Sequence, residues 1–131
     1  MTESVDMNIF LWIVAGLLAA AFLAAGLTKL TQDRRKLIAN PNMAWTQDFS
    51  ARTIKLIGTA ETLGALGLIL PGAFDIAPIL VPLAATGLAV IMIGAIITHA
   101  RRKEPQAIAI NAVLLILAVP VAIFRFGPNS F

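Results

Sequence analysis

Four long apolar runs, at about residues 9–29, 54–70, 76–99 and 107–124, constrain this chain more than any other feature. A helix needs about 20 apolar residues to cross the roughly 30 Å hydrocarbon core of a bilayer. Each run approaches that length, and each is apolar on all sides rather than along one stripe, as lipid-facing helices are. Together they occupy most of a 131-residue chain. The composition agrees, with 59% hydrophobic and 13% charged residues, against about 45–50% and 25% in soluble domains. A small chain cannot hide that much apolar surface from water. The expected fold is all-α: one integral membrane domain over residues 1–131, a four-helix bundle with antiparallel up-down-up-down topology.

Charge placement gives an orientation. Of the ten Lys and Arg residues, six (Lys29, Arg34, Arg35, Lys36, Arg52, Lys55) lie at or between the first two spans. Arg101, Arg102 and Lys103 lie between the third and fourth, and only Arg125 falls on the other side, with Glu3, Asp6 and Asp75. Short loops rich in Lys and Arg stay cytoplasmic. The expectation is a multi-pass plasma (cell inner) membrane protein with both termini outside the cytoplasm. The N-terminus lacks the positive n-region of a secretory signal, so the first span is expected to be retained. The net charge of +3 is thus a topology signal. No basic stripe interleaved with aromatics suggests nucleic acid as a partner.

The chemical inventory is thin. Cysteine and tyrosine are absent and there is one histidine, which leaves no disulfide, no thiolate chemistry and no expected metal site. In the loop from Thr31 to Thr53, Asn40-Pro41 signals a turn or helix start. Beyond it, Met43, Trp45 and Phe49 suit either a short interfacial helix or a connector anchored at the membrane surface.

Polar groups inside the spans are few and share one depth. Glu61 is the one acid of seven within a span, where a bare carboxylate costs about 2.5–3.5 kcal/mol. Lys29 is its expected partner, though a lysine there can also snorkel to the headgroups. His99 closes the third span, Asn111 lies one turn into the fourth, and Thr28, Thr59, Thr62 and Thr98 add hydroxyls. Lys29, Glu61, His99 and Asn111 form the candidate ligand-binding cluster, with no catalytic residue assigned. A structural ion pair that fixes helix register is the competing reading for Lys29 and Glu61. Gly58, Gly64 and Gly67 suit close helix packing, and Pro71 is expected to end the second span.

The segments Gly26-Leu27-Thr28-Lys29-Leu30 and Gly58-Thr59-Ala60-Glu61-Thr62-Leu63-Gly64-Ala65-Leu66-Gly67-Leu68, with His99 ending the third span, resemble the DoxX-like family of small four-helix bacterial membrane proteins. The resemblance implies that Lys29 and Glu61 occupy the family's polar positions. Its name derives from a subunit of a thiosulfate:quinone oxidoreductase, so a quinone is the cofactor or substrate class it implies. Two functions follow. One is a non-catalytic module that binds a lipophilic small molecule or stabilises a membrane partner, alone or as a homodimer. The other is a quinone-linked oxidoreductase subunit, or a small membrane enzyme, that uses Glu61 for proton transfer. The thin inventory favours the first.

Overall fold

The computed structural model describes residues 2–131, with side chains from Val5 onward, and places the side chain of Glu3 outside the described part. Four long helices carry the fold: α1 (Thr2–Thr31), α3 (Ala51–Phe74), α4 (Leu80–Arg101) and α5 (Pro105–Phe126). The short helix α2 (Arg34–Ala39) and a 3-10 segment (Pro41–Asp48) fill the loop between α1 and α3. All four long helices are long and apolar enough to span a membrane.

Local chemistry explains the boundaries. Asp33, Asn40 and Ser50 each stand before a helical segment, and their side-chain oxygens accept the backbone N–H of Lys36, Asn42 and Thr53. These bonds satisfy N–H groups that a helix start leaves unpaired. Pro105 opens α5, where a missing N–H costs nothing.

Two limits differ from the sequence expectation. The second span runs through Pro71 to Phe74 and stops where Asp75 turns left-handed (φ 52°). Pro71 removes the one ladder bond that an N–H there would give to the Gly67 carbonyl, and the helix continues for three residues beyond it. The third span begins at Leu80 instead of Ile76, because Ala77 precedes Pro78 and takes a left-handed φ of 47°. The proline ring disfavours the right-handed helical region for the residue before it.

The core is a stripe from each helix. Leu11, Val14, Leu18 and Phe22 of α1 recur at helical spacing and meet Ala65 and Leu68 of α3, Val81, Ala85, Leu88 and Met92 of α4, and Ala118 and Val121 of α5. The outward faces are equally apolar: Leu17 is 62%, Leu63 63% and Ile116 66% exposed. Lipid is the solvent that tolerates such faces, and the chain is a membrane protein.

Apolar burial does not drive helices together in lipid, so close packing must. Here glycines supply it. A Cβ on Gly64 would strike Leu88, at 2.7 Å, and one on Gly67 would sit 3.0 Å from Ala84, which fixes α3 against α4. At the far end Phe131 lies against Gly72 and Trp12, and the Arg125 guanidinium stands 4.1 Å from the Phe131 ring while donating to the Asn129 carbonyl. Those contacts draw α1, α3 and α5 together at the end of the bundle away from the basic loops.

Candidate functional site

Gly26 and Gly58 begin the site. A Cβ on Gly26 would meet the Thr62 hydroxyl and, at 2.8 Å, the Gly58 carbonyl; one on Gly58 would meet the Lys29 Cβ at 2.8 Å. The backbones of α1 and α3 therefore touch here, as small residues allow. Lys29 and Glu61 each lie one helical turn from this crossing, which sets their side chains face to face. The Lys29 ammonium stands 2.8 Å from Glu61 Oε1, with only 6% and 4% of the two side chains exposed.

Lys29 does not snorkel, and its neighbour Lys55 helps explain why. The Lys55 ammonium donates to the carbonyls of Lys29, Leu30 and Gln32 at 2.9, 2.9 and 3.2 Å. A cation thus caps the carbonyl end of α1, as the dipole favours. Glu61 Oε1 is fully buried, and the Lys29 nitrogen in ion-pair contact is its partner.

Beside this pair lies a cleft of about 1060 Å³ bounded by α1, α3, α4, α5 and the 3-10 segment. Lys29, Glu61, His99 and Asn111 all line it, so the structure gathers the four residues singled out in the sequence. They are not one hydrogen-bonded cluster. The Asn111 amide donates to Ala107 of its own helix at 2.8 Å, and Thr28, Thr59, Thr62 and Thr98 each bond the carbonyl four residues back. The threonines belong to their helices rather than to a shared polar layer.

Sequence reasoning missed the roof of the cleft. Trp45 stands with its ring centre 5.5 Å from the Lys29 ammonium and 5.9 Å from the His99 ring. It covers the polar pocket. The roof is tied down by charge. The turn after α4 folds back through Lys103, at φ 57°, so that the Glu104 N–H reaches the His99 carbonyl. Glu104 Oε1 then lies 2.9 Å from His99 Nδ1 and 3.2 Å from Arg102 Nε, and Arg102 reaches on to Asp48 at 2.9 Å. The hydrogen bond to His99, with the Arg102 guanidinium alongside, holds the Glu104 carboxyl below its ordinary range. An acidic residue five places from the lone histidine was the available signal. Among the described residues no three His, Cys, Asp or Glu side chains gather in a way that would hold a metal.

The Arg102–Asp48 contact also joins the two basic loops, so the nine basic residues outside Arg125 share one end of the bundle. Four apolar helices around a polar-headed intramembrane cleft define a small multi-pass membrane protein. The model of the DoxX-like family matches residues 13–121, and the chain belongs to that family. No curated protein and no solved structure matches it.

Proposed function

We propose that the protein is a non-catalytic membrane module that binds a lipophilic small molecule in the cleft. One observation carries this reading: a space of about 1060 Å³, at the upper end of the roughly 300–1,000 Å³ common for ligand sites, opens beside a buried ion pair. Phe22, Ile91, Met92 and Leu114 supply apolar walls, while Lys29, Glu61 and His99 supply a polar end. That combination suits an amphiphile, and quinones fall within the class. Among the described residues the threonine hydroxyls near the pair are spent on backbone carbonyls of their own helices, and none is bonded to His99 or Glu104, which supports binding over turnover. The excess of Lys and Arg at the cleft end supports a plasma-membrane orientation with this end cytoplasmic and both termini outside.

Native mass spectrometry of detergent-extracted protein tests the reading. The parent chain should retain a small lipophile. Ala25→Leu with Ala95→Leu, at two cleft-lining positions, should remain folded and lose it. A bare mass for the parent protein at the mildest extraction that keeps it folded would refute the proposal.

A further inference from the structure

The polar end of the cleft specifies its ligand more narrowly than size does, and this inference rests on the cleft being a ligand site. Lys29 and Glu61 cancel each other's charge at 2.8 Å. A head bearing net charge would leave a charge unbalanced away from bulk water, which costs several kcal/mol. An uncharged head avoids this.

The hydrogen-bonding pattern narrows the choice again. Glu61 Oε1 is a buried carboxylate oxygen whose partner is the Lys29 ammonium at 2.8 Å, and a carboxylate has lone pairs to accept a further donor. His99 Nδ1 faces the Glu104 carboxylate, which can only accept, so a proton sits on Nδ1 and Nε2 is the ring atom left for a ligand. Asn111 gives one amide N–H to Ala107 and keeps the other together with its carbonyl oxygen. Acceptors and donors thus stand side by side at this end, and the Lys29 ammonium is the charged donor, with N–H groups left beyond its contact to Glu61. A hydroxyl matches both, since it donates to an acceptor while accepting from the ammonium. An ether of the same shape can only accept.

We propose that the cleft selects amphiphiles whose head is an uncharged hydroxyl, alcohol or phenol, with the apolar body lying along Phe22, Met92 and Leu114. Trp45 is the built-in reporter, because it stands over Lys29 and His99 and the other tryptophan, Trp12, lies at the opposite end against Phe131. In a Trp12→Phe protein, quenching of Trp45 is titrated with 4-bromododecan-1-ol, its methyl ether and 4-bromododecanoate. The alcohol should quench saturably at about ten-fold lower concentration than either analogue, the effect of roughly one hydrogen bond to a buried charged group.

The Lys29→Met/Glu61→Leu double variant removes the polar pair without leaving a lone charge. It should bind the alcohol and the ether alike. Equal quenching by alcohol and ether in the Trp12→Phe protein would overturn the head-group proposal and leave the ligand-cleft reading standing. Quenching that rises only linearly with every probe, as for Trp12 in a Trp45→Phe control, would overturn both.

Discussion

Replacing Lys29 with methionine keeps most of the apolar stem and strands the Glu61 carboxylate 2.8 Å from where its counter-charge stood. Even at an effective dielectric near 20, the lost attraction at this separation is about 6 kcal/mol. The measured loss should be smaller, because a stranded carboxylic acid can take up a proton. For an acid with the ordinary value near 4.3, that uptake costs about 3.7 kcal/mol at pH 7 and about 1 kcal/mol at pH 5. The expected destabilisation of Lys29→Met is therefore about 3–4 kcal/mol at pH 7, within the range for breaking a buried pair, and it should shrink as pH falls. Adding Glu61→Gln should recover about 2 kcal/mol or more at pH 7, since the double variant buries no charge. Reversible unfolding followed by tryptophan fluorescence in mixed micelles, at pH 7 and pH 5, measures all four proteins of the cycle. Strict additivity within about 0.5 kcal/mol, or a Lys29→Met loss that grows toward pH 5, would refute the reasoning.

Two further predictions bear on the scaffold around the site. Gly26→Ala should cost about 1–3 kcal/mol, because its new methyl meets the Gly58 carbonyl and Thr62 backbone nitrogen at 2.8 and 2.9 Å; Gly16→Ala, with nothing within 4 Å, should be neutral or gain up to about 1 kcal/mol, and equal losses in thermal unfolding would contradict the crossing. The tie through Glu104 has a defined pH window: a carboxyl held below its ordinary range in the folded state contributes above about pH 4.3 and is lost as pH falls through the folded value. Spin labels at Gln47→Cys and Arg101→Cys, exposed positions in a chain without cysteine, should report an unchanged distance from pH 7 to 5 and a broadened one below about pH 4; loosening between pH 7 and 5 would argue against it.

Some of this architecture is legible from sequence, for reasons that particular residues make plain. The four spans follow from hydropathy, because lipid-exposed faces such as Leu17 and Leu63 must be apolar whatever the packing. The Lys29–Glu61 pair follows from electrostatics, since a carboxylate in hydrocarbon requires a counter-charge and one lysine shared its depth. The tether was not legible. Arg102 and Asp48 are 54 positions apart, and only the packing of α4 beside the loop brings them together. Trp45 illustrates the same limit: an amphipathic ring suits a headgroup layer or the roof of a polar cleft equally well, and tertiary geometry decides. Ile76 reads as part of a span because its apolarity outweighs, in sequence, the left-handed turn that Ala77 takes before Pro78.

Helix pairing has a mechanical consequence. α1 packs chiefly on α3, and α4 on α5, while Gly64 and Gly67 hold Leu88 and Ala84 along the seam between the two pairs. The bundle is built like a book whose spine is α3 against α4 and whose fore-edge, α1 against α5, is clasped at one end by Trp12, Arg125 and Phe131. The cleft lies between the covers at the unclasped end. Rotation of the covers about the spine would change its width without unwinding a helix. On that geometry Leu88 and Ala84, which do not line the cleft, set how bulky an occupant can be.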